Sequence, residues 1–225
     1  MEGDIDSEEE IRALEQDQTF LAMVSLKDPV RDNIKKVIAK AIEAKVQLRL
    51  ISGDNLNTTA AVAVDTGILT REEFEMSKNR DSSSSIAMNA SEFRAEVGDV
   101  IRTEKEVEDG DEKRYSYSLS NQQAFNRIIG SLKVIGRAEP EDKLRLVAGL
   151  RGMLEHEDDP DSGRRVAVVG EGINDIEAFQ AANVSFAVQD GTSLARNNAS
   201  MILQTNDFDS CMRAVMWGRN IYMNV

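Results

Sequence analysis

The apolar and polar positions of the chain alternate between short β-branched runs and stretches of helical period. Ile34, Val37, Ile38, Ala41 and Ile42 recur at helical spacing with Lys35, Lys36, Lys40 and Glu43 outside them, which predicts an amphipathic helix over residues 30–44. Residues 19–26 (T-F-L-A-M-V-S-L) and 46–51 predict strands on either side of it. Helices follow over 56–65 and 122–129, a strand over 132–135, and a helix that Pro140 opens and that carries Leu144, Leu146, Val147 and Leu150. Val166, Ala167, Val168 and Val169 form an unbroken apolar run, suited to a strand buried on both faces of a parallel sheet. A helix over 176–182, apolar runs at 184–188 and 200–203 around a single helical turn at 192–197, and a helix over 208–225 complete the chain. Strands alternating with helices predict a three-layer α/β sandwich with a mostly parallel sheet.

Two stretches break the pattern. Residues 1–18 read as an acidic tail, and 19–225 as one domain interrupted at about 70–121 by a surface insertion. The insertion carries the serine run 82–85, a small element around 86–93, a charged segment at 104–114 and a strand at 115–119.

The chemistry gathers where strands give way to helices. Val168 to Asp175 reads V-V-G-E-G-I-N-D: Gly170 and Gly172 let the backbone turn, Asn174 and Asp175 cap the next helix, and Glu171 and Asp175 come together at a strand's carboxyl end. Open α/β sheets place ligands there, and two carboxylates suit magnesium; a tight, well-capped turn accounts for the same residues equally. Ser52-Gly53-Asp54-Asn55 is a second such loop, able to hold an anion or to serve as a plain turn. Asp28-Pro29 reads first as a helix start, with Asp28 as the cap. Lys143 opposes the dipole of the helix whose first turn it occupies, so its charge is expected to have a task of its own.

Composition changes the picture modestly. A net charge of −13 argues against nucleic acid as a partner, because that binding needs a basic face. The single Cys211 excludes a disulfide within the chain, and the lone His156, in a charged loop, is not expected to be a ligand. No apolar run reaches the length of a membrane span and the first residues do not form a signal peptide, so the expectation is a cytoplasmic chain without membrane insertion.

Taken together, L-K-D-P-V-R at 26–31, S-G-D-N at 52–55, G-R-A-E-P-E-D-K at 136–143 and V-V-G-E-G-I-N-D at 168–175 resemble, in order and spacing, the phosphorylation domain of P-type ATPases. That domain has a haloacid-dehalogenase-like fold with a Rossmann-like sheet. Among its members the chain looks most like plasma-membrane-type calcium pumps, and A-V-M-W-G-R-N-I-Y at 214–222 resembles their run into the membrane stalk. The resemblance implies that Ser52, Gly53, Asp54, Lys143 and Asn174 contact a phosphoryl group, and that Arg137 lies near a nucleotide. It also implies that Glu171 and Asp175 form a degenerate magnesium site and that Asp28, Pro29 and Arg31 belong to a hinge. Magnesium is the one residual cofactor it implies, with ATP only if further domains complete the site.

The departures carry equal weight. The family nucleophile is the aspartate of D-K-T-G-T, and that motif is absent from this sequence; Glu171 also stands where the family has aspartate. The central nucleophile strand is therefore missing or replaced. Its place is expected to be taken by the acidic N-terminal segment, by the strand at 115–119, or by a strand from a protein partner. Three functions are compatible with the sequence: a non-catalytic pump-like subunit of a larger cytoskeletal or membrane-associated assembly, a piece of a working calcium pump, or a magnesium-dependent phosphatase. Met212, Met216, Trp217 and Tyr222 are the candidate partner-binding residues, although such residues at helical spacing also suit a core.

Overall fold

The computed structural model describes residues 16, 18–24, 26, 29–77, 86–105, 114–153 and 164–224. Asp28, His156, nearly all of the tail over 1–18, the serine run and the acidic loop at 155–161 lie outside the described residues.

Eight strands and nine α-helices are described. In chain order they are α1 (Ile34–Glu43), β1 (Leu50–Ile51), α2 (Leu56–Thr66), α3 (Arg71–Ser77), β2 (Ala87–Asn89), α4 (Ala90–Val97), β3 (Val100–Lys105), β4 (Arg114–Leu119), α5 (Gln122–Ile128), β5 (Val134–Gly136), α6 (Pro140–Arg151), β6 (Ala167–Gly170), α7 (Ile176–Ala181), β7 (Val184–Val188), α8 (Ser193–Asn198), β8 (Met201–Leu203) and α9 (Phe208–Met223). A short 3-10 turn, Ile173–Asp175, precedes α7.

The parallel strands form two sheets rather than one. One has the order β1-β5-β2, the other β6-β7-β8, and every pairing within them is parallel. β3 and β4 make a separate antiparallel hairpin. Both parallel sheets border one core: Ile135 lies buried in the same cluster as Val166, with Ile51 of β1 and Val168 of β6 packed against it. α6 contributes Leu144, Leu146, Val147, Ala148 and Leu150 to that cluster, so it covers one face of both sheets. On the other side α1 contacts both α2 and α9, and Arg219 of α9 donates a 2.6 Å hydrogen bond to the Ala44 carbonyl. The molecule is thus an α/β sandwich whose sheet is divided in the middle, with β1 and β6 as the open edges.

Several sequence expectations change. The run at 166–169 is not buried on both faces: β6 is an open edge, and Val169 is 40% exposed. Residues 19–24 and 26 form no strand. Phe20, Leu21, Met23, Val24 and Leu26 are 78% to 94% exposed, because no sheet edge pairs with them. The strand at 115–119 is taken by β3 and does not fill the gap between the sheets. Strand β1 is shorter than the predicted 46–51, and α1 starts at Ile34 rather than near Val30.

Within the expected insertion, β2 joins the parallel sheet, and Met88, Phe93 and Val97 are among the most buried residues, so the surface reading fails there. β3 was not foreseen. Its polar sequence, V-I-R-T-E-K, is held by the hairpin ladder and by Arg102, whose guanidinium lies 3.5 Å from the centre of the Tyr115 ring.

Candidate functional site

Three loops meet at the carboxyl ends of β1, β5 and β6. The first, Ser52–Asp54, closes on itself: the Asp54 amide donates to Ser52 Oγ at 3.2 Å, and that hydroxyl donates to Asp54 Oδ2 at 3.2 Å. Asn55 then caps α2, its Oδ1 accepting from the Thr58 amide at 2.9 Å.

The second loop lies against the first. The Arg137 amide donates to the Asp54 carbonyl at 2.6 Å and the Ala138 amide to the Ser52 carbonyl at 2.9 Å. Arg137 is exposed and held at a positive φ of 57°. Gly136 is demanded by proximity, since a Cβ there would sit 2.5 Å from the Leu56 Cα at the start of α2.

This second loop leads into α6, where Glu139 and Asp142 close a reciprocal capping box around Pro140. One turn in, Lys143 points across to the third loop, and its Nζ lies 2.6 Å from Asp175 Oδ1. Lys143 thus forms an ion pair that joins two of the loops. Asp175 is buried, and its second oxygen accepts from the amides of Glu171 at 2.9 Å and Gly172 at 3.0 Å. Burial alone would raise the Asp175 carboxyl, but the Lys143 bond and the two amides outweigh it and hold the group below the usual carboxylate range. Gly170 makes room for this arrangement: a Cβ there would lie 2.5 Å from Asp175 Cγ. Asp175 thus folds back over its own loop, and its side chain does not cap α7.

Of the two carboxylates expected to hold magnesium, Glu171 is exposed and Asp175 has both oxygens engaged within the protein. A cation bound directly by Asp175 would have to displace Lys143. Asn174 is exposed in the 3-10 turn. Pro29 and Arg31 line a cleft of about 310 Å³ together with Val30, Ile34, Val169 and Val188. On α9 Met212 is half-buried, whereas Met216, Trp217 and Tyr222 are 56%, 60% and 85% exposed, so three of these four do not pack in a core.

Three loops at strand ends, a lysine reaching from one to an aspartate of another, and a parallel sheet behind them thus form one cluster. A family model for haloacid dehalogenase-like hydrolases matches residues 149–215, which contain the third loop. The chain is 34% identical over 212 residues to plasma membrane calcium-transporting ATPase 4 of Homo sapiens, covering 92% of this chain and 14% of that protein. It is 31% identical over 212 residues to calcium-transporting ATPase 10, plasma membrane-type, of Arabidopsis thaliana, covering 94% of this chain and 16% of that one. The solved structure of a zinc-transporting PIB-type ATPase in its E2.Pi state superposes with a TM-score of 0.52 at 19% identity, over 88% of this chain and 21% of that chain.

The chain is similar to the phosphorylation-domain segment of P-type calcium-transporting ATPases.

It spans only a small part of the length of these relatives. The divided sheet frames the site: β1 and β6 flank the loops with no strand between them among the described residues. No helix among the described residues is long and apolar enough to cross a membrane.

Sequence reasoning missed two charged clusters. Arg145 is 2% exposed and Asp142 is fully buried. They meet at 2.7 Å within α6, and Arg145 Nε also donates to the Gly98 carbonyl at 2.8 Å, tying α6 to the end of α4. Arg49 and Arg164 both donate to Gln47 Oε1, with Arg164 at 2.6 Å. Burial, reinforced by the neighbouring Arg164 charge, pushes Arg49 down to about 10. Charges at i and i+3 on an otherwise buried helix could have revealed the first cluster; the second depends on a contact between residues 117 apart.

Proposed function

We propose that the chain is a calcium-pump-like phosphorylation domain that does not turn over ATP by itself and serves as a protein-binding subunit of a larger assembly. One observation carries this reading. The Lys143–Asp175 ion pair stands at 2.6 Å at the loops, while no strand lies between β1 and β6 among the described residues and D-K-T-G-T does not occur in the given sequence. A clamp neutralises charge but forms no covalent bond, and phosphoryl transfer through an aspartyl intermediate needs both. The same absence weighs against a phosphatase of this fold. The partner surface in this reading is the exposed end of α9, where Met216, Trp217, Ile221 and Tyr222 follow one another over two turns.

The test is incubation with magnesium and γ-labelled ATP, acid trapping, and native mass spectrometry of the protein with its copurifying chains. No labelled adduct, together with soluble stoichiometric partners whose binding Trp217→Ala abolishes, is the expected result. An adduct that forms on this chain alone would end the proposal. A second reading, a piece of a working P-type calcium pump, is favoured by the match of nearly the whole chain to a small segment of calcium-transporting ATPases. It predicts copurification with, or covalent continuity into, a polypeptide carrying D-K-T-G-T.

A further inference from the structure

The helix that carries Lys143 is enclosed nearly all round. From Leu144 to Leu150 every residue of α6 is buried, so no polar face decides which way the helix turns, and its rotation has to be set by particular contacts. Packing does this in the middle, where a Cβ on Gly149 would run into the Phe125 ring. The first turn has no such support: Glu139, Pro140 and Glu141 are exposed. Lys143 leaves the helix directly after them.

A charged pair stands where packing is missing. Asp142 is 0% exposed and Arg145 2%. Asp142 Oδ1 accepts from Arg145 Nη1 at 2.7 Å, and its Oδ2 accepts from the Glu139 amide at 2.9 Å. Arg145 reaches further: its Nε donates to the Gly98 carbonyl at 2.8 Å, and its Nη2 lies 3.1 Å from Glu141 Oε1. Gly98 belongs to the corner between α4 and β3, which is itself fixed. The Asp99 amide donates to Ser120 Oγ at 2.9 Å, and the Ser120 amide donates to the Asp99 carbonyl at 2.9 Å. Arg94 of α4 closes the outer side, 2.8 Å from Glu139 Oε2 and 3.6 Å from Asp142 Oδ2.

A buried ion pair is a poor source of stability, because desolvating two charges offsets most of their attraction and apolar residues of similar size hold a helix as firmly. What it supplies is direction, since a guanidinium held on three sides permits one orientation of the turn it anchors. We infer that the Asp142–Arg145 pair positions Lys143: it locks the first turn of α6 to the corner at Gly98 and so aims the Lys143 ammonium at Asp175, 2.6 Å away. Arg145 acts through its neighbours in the helix, not on Asp175 itself. The inference does not depend on ATP turnover or on a partner, so it and the proposed function fail separately.

The experiment is acylation of the full chain with acetic anhydride, read peptide by peptide by mass spectrometry, with the exposed Lys36 as internal reference. In the parent chain Lys143, engaged by Asp175 and with its side chain 22% exposed, is expected to label more slowly than Lys36. Arg145→Met is expected to speed Lys143 labelling at least about fivefold relative to Lys36, as the open population grows with the loss of a charged hydrogen bond. Asp142→Asn combined with Arg145→Met guards against the single variant failing to fold, since it removes both charges and leaves an oxygen for the Glu139 amide. Its melting temperature is expected close to the parent's, with Lys143 labelled as fast as in Arg145→Met. Phe186→Ala, which weakens the other sheet, is expected to leave the Lys143 rate unchanged.

A folded double variant in which Lys143 labels as slowly as in the parent overturns the inference. An equal rise in Phe186→Ala overturns it too, because the effect is then general loosening. So does a double variant that no longer folds, since the pair would then be supplying stability and not direction.

Discussion

The two parallel sheets have the same number of strands and the same sense, yet they are buried to different degrees. In β1-β5-β2 the middle strand is sealed: Val134 and Ile135 are 0% and 2% exposed, and Met88 of β2 is 1% exposed. In β6-β7-β8 the middle strand is sealed as well, with Ala187 fully buried, but the edge facing the slot leaves Val169 40% exposed, and Met201 and Ile202 of β8 are 48% and 47% exposed. The first sheet is closed by α2, α4 and α5 and by the Phe93–Phe125 pair, whose rings meet edge-on at 6.2 Å. The second relies on short α7 and α8 and on small clusters around Phe186 and Phe179. The difference teaches that burial of a parallel sheet follows the elements laid over it: the β6 sheet has the smaller clusters and the more exposed edges.

The largest expected effect comes from breaking the better-packed sheet. Phe125→Ala removes a fully buried ring from between Phe93 and α6 and is expected to cost about 3–5 kcal/mol, read from the denaturant midpoint. Phe186→Ala in the other sheet is expected at or below the lower end of that range, because residues beside an open edge can relax into the space. Equal costs would erase the distinction between the sheets.

Next in size is the clamp between them. Lys143→Met leaves the buried Asp175 carboxylate without its cation, supported only by the Glu171 and Gly172 amides, and is expected to destabilise by about 1–3 kcal/mol. The pH dependence follows in sign. The folded Asp175 is held below its unfolded value, so its contribution is present above the unfolded pKa of about 3.9 and is lost as the pH falls through the folded value. Lys143→Met should flatten that acid limb of the stability curve. An unchanged limb in thermal melts between about pH 5 and pH 2 would mean that the two amides alone hold the carboxyl down.

Legibility followed the same division. The turns at 52–54 and 168–175 and the unusual placing of Lys143 could be read because glycines, caps and a charge set against a helix dipole are local signals; its ion pair with Asp175 at 2.6 Å could not. The relation to P-type ATPases was legible for a similar reason, since short motifs kept their order. What could not be read was pairing. Val166 to Val169 has the composition of a central strand, but burial on both faces needs a second pairing strand, and β6 pairs only with β7 among the described residues. Residues 19–24 have the same composition and stand exposed for the same reason. The core role of Phe93 and Val97 was hidden by the serine run and charged loop on either side of them.

The smallest expected effect is also the sharpest test of the comparison. Val169→Thr changes little in shape, and on an open edge at 40% exposure it should shift stability by less than about 0.5 kcal/mol. Val134→Thr, in the sealed middle strand of the other sheet, buries the same hydroxyl among apolar neighbours and should cost about 1–2 kcal/mol. The two substitutions are read side by side from denaturant midpoints. If both cost the same, β6 is no more open than β5 in solution, and the contrast between the two sheets fails.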